Sequence, residues 1–421
     1  MHVQTMKLRI KWEYFIAVFL CSVLIIEAQD RKCGGEMLLD GSEPLISIGL
    51  DTTGHWWSIT SPFSRRYAVT IDGKKGMDVD SVKAPIFSPD GQKFAYPVLK
   101  NGVWYIITND STIPIGAGIP GYIGFSRYGI LAYTVIDGQS ETVHIRRADD
   151  LFTQVLINRI GDIALSFDGN QWAYRSRRAG GIALMVNDEE IDRFEECLMA
   201  GFMLDNTFVY AGKQGDLWRV NKNDEELLSA QYVKFLQINQ SGNTFACAYG
   251  NGTRFTGYLN SNEFIKPLET QSYDRIDDLV IHPFEPMMGL TSFRAGMSYM
   301  MMNTAEYDAG INVGPIRFTH DGQEVYLCGD SQQDPFIIVN GQKFMQKNAL
   351  DINRFYALSP KTGTFAYATS SAMIMQRMSD GFTFAGMMAD YVTAPIFNHR
   401  TNAYESLGVV NNRLFLMYCK P

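Results

Sequence analysis

Histidine is the side chain that most readily supplies a general base or a zinc ligand, and it is scarce in this chain of 421 residues. The sequence contains neither Gly-x-Ser-x-Gly nor His-Glu-x-x-His, the spacings typical of serine hydrolases and zinc enzymes. Several histidines fall in or beside a recurring turn, which favours a turn role. Apart from His2, the histidines are His55, His144, His282, His320 and His399. We therefore predict no catalytic residue, no metal ligand and no cofactor.

Arginine forms a group of like charge over two neighbouring units, and its members are Arg146, Arg147, Arg175, Arg177 and Arg178. The last three follow the second strand of a repeat unit, and the first two lie one unit earlier. Acidic runs come soon afterwards, at residues 188–190 and 224–226. Opposite charges on neighbouring units solvate a surface and limit pairing between sheet edges. A polarised contact patch for a charged partner is the functional alternative.

Methionines and aromatic residues are abundant, and both suit either a core or a binding surface. Methionine is concentrated at residues 287–302 and 373–388, where its thioether could bind copper(I) or form an adaptable contact. Strand alternation in Tyr299–Met302 points one face inward, which favours core filling. Rings that could stack on sugars, but that also suit the space between sheets, are those of Trp56, Trp57 and Tyr122.

These residues are carried by a repeated unit, seen best in Phe87–Tyr96 with the sequence FSPDGQKFAY. Its Ser-Pro-Asp-Gly segment is turn chemistry, because proline presets φ, Asp bonds its own backbone and glycine accepts a positive φ. Apolar residues before the turn and alternating apolar residues after it predict two antiparallel strands. Residues 103–107 predict a third strand, and residues 112–115 a short outer fourth that tolerates proline at an edge.

The unit recurs ten times at intervals of 36 to 43 residues, the longest interval being 239 to 282. A four-stranded propeller blade takes roughly 40 to 45 residues. The position of Ser88 in the unit recurs at Asp51, Ser88, Ser126, Ser166, Met203, Asn239, His282, Thr319, Ser359 and Asn398. We predict an all-β fold, a β-propeller of about ten four-stranded blades.

The apolar-Ser-Pro-Asp-Gly-x-x-apolar-Ala-Tyr unit resembles the WD40-like repeat of TolB and of some oligopeptidase propellers. The resemblance covers nearly all of the chain after the N-terminus and implies a propeller fold. There is no room for the N-terminal α/β domain of TolB, and nothing resembles the hydrolase domain of the oligopeptidases. The resemblance therefore implies a fold and transfers no activity.

Residues 1–28 are predicted to be a secretory signal peptide, and residues 29–421 the propeller. Lys7, Arg9 and Lys11 form a basic start, and residues 14–26 an apolar stretch shorter than the roughly 20 residues that span a bilayer. An uncleaved anchor is the alternative. Removing the segment makes the net charge of −8 one unit more negative. An acidic exported domain has no general affinity for nucleic acid.

The chain ends after the third strand of its last unit, and the orphan apolar segment Met37–Leu39 precedes the first. If that segment supplies the missing outer strand, Cys33 and Cys419 lie side by side and can form a disulfide, against the alternative of two free thiols. Such a seam predicts one ring, with two smaller propellers in tandem as the alternative. Cysteines expected to be buried and free are Cys197, Cys247 and Cys328.

The predicted function is that of an exported, secreted or periplasmic propeller that binds or scaffolds another protein or an envelope component, without enzymatic activity. Radially repeated sheets leave loops on two faces, and these suit recognition. A carbohydrate-binding or glycan-active propeller and a peptide receptor or sensor are the alternatives. We expect no nucleic-acid partner and no transmembrane span in the mature chain.

Overall fold

The computed structural model describes residues 33–116, 118–146, 150–310, 313–319, 322–329, 335–346, 356–359 and 362–421. The predicted signal peptide and Arg147 lie outside these ranges. Within them the chain is built of strands and turns, without a helix, and in this part of the chain no helix could cross a membrane.

Forty-two strands follow one another, and their bounds show a period of four. The first fourteen are β1 (Cys33–Leu39), β2 (Leu45–Leu50), β3 (Trp56–Phe63), β4 (Arg66–Ile71), β5 (Lys74–Lys75), β6 (Ser81–Val82), β7 (Ile86–Phe87), β8 (Phe94–Lys100), β9 (Val103–Thr108), β10 (Thr112–Gly116), β11 (Ile119–Phe125), β12 (Leu131–Asp137), β13 (Ser140–Arg146) and β14 (Leu151–Leu156). The next sixteen are β15 (Arg159–Leu165), β16 (Trp172–Arg178), β17 (Gly181–Val186), β18 (Glu189–Phe194), β19 (Glu196–Phe202), β20 (Phe208–Gln214), β21 (Leu217–Lys222), β22 (Glu225–Ala230), β23 (Tyr232–Ile238), β24 (Thr244–Asn251), β25 (Arg254–Ser261), β26 (Leu268–Glu269), β27 (Arg275–Ile281), β28 (Met288–Arg294), β29 (Met297–Met302) and β30 (Ala305–Gly310). The last twelve are β31 (Arg317–Phe318), β32 (Val325–Gly329), β33 (Phe336–Val339), β34 (Gln342–Met345), β35 (Ala357–Ser359), β36 (Thr364–Ala368), β37 (Met373–Arg377), β38 (Thr383–Ala385), β39 (Tyr391–Val392), β40 (Ile396–Asn398), β41 (Ala403–Val410) and β42 (Arg413–Cys419).

Over the described ranges these strands form ten antiparallel sheets, which we number as blades 1 to 10 from β2 onward. Each blade has four positions, and the repeated turn joins its first and second strands. In blades 2 and 10 the first position is divided between two short strands, β6 with β7 and β39 with β40. The prediction of about ten four-stranded blades is confirmed.

The blades form a single ring. First strands of successive blades contact one another, as β15, β19, β23 and β27 do, and β2 of blade 1 contacts β41 of blade 10. Apolar residues fill the space between neighbouring sheets: Val143 and Ile145 of blade 3 pack with Trp172 and Tyr174 of blade 4. One ring is therefore present rather than two in tandem.

The Ala-Tyr pair of the repeat explains how the sheets approach each other. The alanine is fully buried in blades 2, 3 and 4, at Ala95, Ala132 and Ala173, and its small side chain lets the next sheet come close. Methionines fill other gaps in the same layers, and those with no exposed surface include Met288, Met300, Met301, Met373 and Met375. Core filling is thus the role of these methionines.

Hydrogen bonds within the repeated turn explain its Ser-x-Asp-Gly sequence. Asp90 Oδ1 accepts bonds from Ser88 Oγ at 2.5 Å and from the Gln92 backbone N–H at 3.0 Å. Ser88 Oγ in turn accepts the Lys93 backbone N–H at 2.9 Å, and Gly91 adopts a φ of 71°. The bond from Ser88 and then that from Gln92 lower the pKa of Asp90. Blade 4 repeats the pattern with Ser166 and Asp168.

This turn predicts a stability contribution that depends on pH. A folded-state pKa below the unfolded value means that ionised Asp90 stabilises the fold above about pH 4, and that the contribution is lost as pH falls through the folded-state pKa. Asp90→Asn should therefore lower the Tm at pH 7, and the difference from wild type should shrink towards pH 3. Thermal unfolding across this pH range measures it. A deficit that stays constant with pH would show that the charge is immaterial.

The ring is closed by both ends of the chain. Strand β1 pairs antiparallel with β42 and supplies the outer strand of blade 10, with Cys33 opposite Cys419. The two cysteines form a disulfide between residues 386 positions apart. Asn412 joins blade 10 to the start of blade 1, since its Nδ2 donates to the carbonyls of Gly41 and Glu43 and its Oδ1 accepts the Leu45 N–H. Cys197, Cys247 and Cys328 are buried thiols.

Loss of this bond should weaken the whole ring. A disulfide that closes so long a loop stabilises by about 2–5 kcal/mol. We expect the Cys33→Ser/Cys419→Ser double variant to have a lower Tm than the wild type, and a reductant to lower the Tm of the wild type alone. Calorimetry with and without reductant tests this. An equal response of both proteins to reductant would assign the effect to other thiols.

Candidate functional site

Strand direction divides the turns of the ring between two faces. Neighbouring strands in each blade are antiparallel, so the connections from first to second strand and from third to fourth lie at one end. We call this end the corner face, because it carries the repeated turn. The hairpins between second and third strands, together with the links to the next blade, form the hairpin face.

The structure does not bring the predicted arginines together. Arg146 ends β13 opposite Leu131, the first residue of β12, and so lies at the corner face. Arg177 and Arg178 end β16 at its hairpin, which places them at the hairpin face of the next blade. A seven-residue strand spans about 20 Å at 3.3 Å per residue, which is the separation of the two faces along a blade. These residues therefore do not form one patch.

Arg175 has a structural role between blades 4 and 5. Its Nη1 donates to the carbonyl of Cys197 on β19 at 3.0 Å. Room for its guanidinium comes from Gly161, where an added Cβ would lie 2.6 Å from Nη2 of Arg175. The glycine has a φ of 71° within a bulge of β15. Arg175 therefore ties the second strand of blade 4 to the first strand of blade 5.

Three large apolar side chains are exposed in the repeated turns of the corner face. Tyr128 of blade 3 is 61% exposed, Leu204 of blade 5 is 48% exposed and Phe284 of blade 7 is 44% exposed. Tyr128 and Phe284 stand where blade 2 has Asp90, and Leu204 stands where it has Pro89. The turn needs neither an aromatic nor an aliphatic side chain at these positions, so the fold alone does not account for them.

Contacts link the turns that carry these side chains, and we call the surface they form the corner patch: Tyr128, Phe167, Leu204 and Phe284. Tyr128 packs edge-on against Phe167 with ring centroids 5.9 Å apart. The backbone of Leu204 donates to the carbonyl of Gly242 at 2.8 Å, and a Cβ on Gly242 would lie 2.3 Å from the ring of Phe167.

The far side of the corner patch is fixed by the turn of blade 6. Ser241 Oγ of this turn donates to the carbonyl of Phe284 at 3.1 Å. Arg127 of blade 3 donates to Gln240 Oε1 of the same turn at 3.4 Å, although blades 4 and 5 lie between them. Hydrogen bonds thus connect the turns of blades 3 to 7 at the corner face, and the polar turn of blade 6 lies in ring order between Leu204 and Phe284.

Two of the histidines have defined partners in the described part of the chain. His55 Nδ1 bonds Asp72 Oδ2 at 2.6 Å, and the ring stacks on Phe87, so this pair is oriented within its own turn region. His144 stacks on Tyr133, and burial lowers its pKa, as for a core residue. In the described part of the chain no three His, Cys, Asp or Glu side chains are placed to hold a metal ion.

The corner patch was missed by the sequence analysis, although a signal was present. Its turns have an apolar side chain where the Ser-Pro-Asp-Gly turn has Pro or Asp. Aligning all ten turns and marking apolar residues at the Pro and Asp positions would have selected Tyr128, Phe167, Leu204 and Phe284. Their contacts across blades needed the ring.

No protein-family model matches the sequence, and a search of curated proteins finds no match. Solved structures resemble the chain. A eukaryotic initiation factor aligns with a TM-score of 0.46 at 11% identity, over 78% of this chain and 98% of its own. The Dos1 propeller gives 0.36 at 12% identity, over 80% and 91%. TolB from Acinetobacter baumannii gives 0.27 at 9% identity, over 72% and 79%.

The predicted propeller fold is confirmed by the ring of four-stranded blades itself. WD40-like and TolB-type propellers are among the similar structures. Identities of 9–12% and TM-scores below 0.5 say nothing about ligands or partners. Propellers in general often mediate protein interactions, and the fold is compatible with that class of function.

Within the corner patch, we expect substitution of an exposed side chain to leave stability nearly unchanged and substitution of the buried ring to lower it. Tyr128→Asp restores the residue found in blade 2 and should change the free energy of unfolding by no more than about 0.5 kcal/mol. Phe167→Ala should cost about 3 kcal/mol, because this ring is buried between three turns. Denaturant unfolding measures both. A large decrease in the free energy of unfolding for Tyr128→Asp would mean that the tyrosine stabilises the fold.

Proposed function

We propose that this protein is an exported, non-enzymatic scaffold that binds a partner protein through the corner patch. The observation that carries the proposal is the exposure of Tyr128, Leu204 and Phe284 at turn positions where the repeat uses Asp or Pro. Exposed apolar side chains set among polar groups are typical of protein-binding sites. Aromatic anchors of this kind contribute much of the energy of an interface.

Export is supported by two independent features. Residues 1–28 have the basic start and apolar stretch of a signal peptide. The disulfide between Cys33 and Cys419 suits an oxidising compartment outside the cytoplasm. We infer that the mature chain begins near Gln29 and works as a secreted or periplasmic propeller.

The glycan alternative has weaker support. Three rings were considered for sugar stacking, and two of them, Trp57 and Tyr122, pack against the cores between blades. Burial raises the pKa of Tyr122, in keeping with a core position. A sugar-binding face would need such rings in the open, next to hydrogen-bonding groups.

Comparative capture tests the proposal. The full chain is expressed with its own N-terminus, and the exported form is immobilised after its first residue has been determined. Extracts of the envelope and the medium of the source organism are passed over the wild type and over a Tyr128→Asp/Leu204→Ser/Phe284→Asp variant. We expect the wild type to retain one partner at least tenfold better than the variant.

Phe63→Ser is the matched control, because Phe63 is 68% exposed at the hairpin end of β3. This variant should retain the same partner as the wild type. Retention of the partner by the corner-patch variant would refute the site. Binding on a glycan array with no protein retained would refute the function.

A further inference from the structure

The outer strands of the ring differ in how they are protected against pairing with another chain. An outer strand presents unpaired backbone N–H and C=O groups, and natural proteins guard such edges with charges, prolines or short length. Charged residues lie within β1, β5, β18, β22, β26, β30 and β34, proline lies in β10, and β38 has only three residues. The exception among the described outer strands is β14 of blade 3.

Strand β14 has six residues, Leu-Phe-Thr-Gln-Val-Leu, with no charge and no proline. It is hydrogen-bonded to β13 on one side and to no strand on the other. One face is anchored to blade 4, since Phe152 packs on Trp172 at 4.4 Å and Gln154 Nε2 donates to Asp188 at 2.8 Å. Alternation turns Leu151, Thr153 and Val155 to the opposite, exposed face.

Apolar exposure is concentrated on the same blade. Six of the twenty strongly exposed large apolar side chains of the described residues belong to it: Ile119, Tyr128, Ile136, Leu151, Val155 and Ile157. Of these, Leu151, Val155 and Ile157 lie on β14 or directly after it. Apolar area beside a free edge adds to what strand pairing alone would bury, as a specific interface requires.

We propose that β14 pairs antiparallel with β14 of a second copy of this chain, across a two-fold axis at Thr153. Two-fold pairing that continues one sheet must place residues of the same face opposite each other. With Thr153 opposite Thr153, Leu151 faces Val155 on both sides of the axis. Thr–Thr and aliphatic pairs are favourable across strands, and no like charges meet.

A second copy suits the neutral edge of β14 better than it would suit a like-charged edge such as β5, which consists of two lysines. Self-pairing of a charged edge sets like charges near one another across the axis, whereas β14 is neutral along its whole length. The exposed face of β14 is self-complementary in the stated register, because its two ends are aliphatic and its centre is a small hydroxyl residue. The result is an eight-stranded sheet shared by two rings.

Sedimentation or light scattering over a concentration series tests the proposal on the full mature chain. We expect wild type to reach twice the monomer mass. Thr153→Lys places two ammonium groups against each other at the axis and should weaken the dimer at least tenfold. Thr383→Lys, an exposed threonine on the outer strand β38, should dimerise like wild type.

Mixing two variants of opposite charge tests the register in which the two β14 strands pair. Thr153→Lys and Thr153→Glu should each be monomeric alone and should form a mixed dimer when combined, because residue 153 then faces its opposite charge. The corner-patch variant should keep the dimer, which separates this proposal from the proposed function. Monomeric wild type, dimeric Thr153→Lys, weakened Thr383→Lys, or a mixture that stays monomeric would each overturn it.

Discussion

Closure of the ring is the constraint on which the rest of the structure depends. Each blade has two apolar faces, and both are buried only when every blade has a neighbour on either side. An open row of blades would leave one apolar face exposed to water at each end. The chain avoids this by placing β1 beside β42, so that blade 10 is complete and blade 1 follows it directly. The disulfide between Cys33 and Cys419 then makes the join covalent.

A closed ring also separates the residues that must be regular from those that are free to vary. Alanines, tyrosines and methionines in the second and third strands face another sheet, so their sizes are set by packing. The turn keeps Ser, Asp and Gly where its hydrogen bonds need them. Side chains that project from the corner face are needed neither for packing between sheets nor for the hydrogen bonds of the turn. Tyr128, Leu204 and Phe284 occupy positions of this kind, which is why apolar residues there point to binding rather than to folding.

Much of the fold could be predicted from the sequence, because its causes are local. Ser88, Asp90 and Gly91 bond within one turn, and copies of that turn mark each blade. The pairing of Cys33 with Cys419 could be predicted too, since the last unit lacked an outer strand. The grouping of arginines could not, because it depends on the direction and length of β13 and β16. Arg146 and Arg177 are close in unit number but lie at opposite ends of their blades.

The two surfaces proposed here have a geometric relation. Strands run between the corner face and the hairpin face, so antiparallel pairing of β14 with its copy sets the corner end of one ring beside the hairpin end of the other. The two corner patches then point in opposite directions, and neither is covered by the dimer contact. A dimer of this form would hold two partner molecules on opposite sides. The effective concentration of the second binding site relative to the first is then set by the rigid rings rather than by a linker. The ability to hold two partners at once follows from the way the two β14 edges pair, and it needs no motion within a blade.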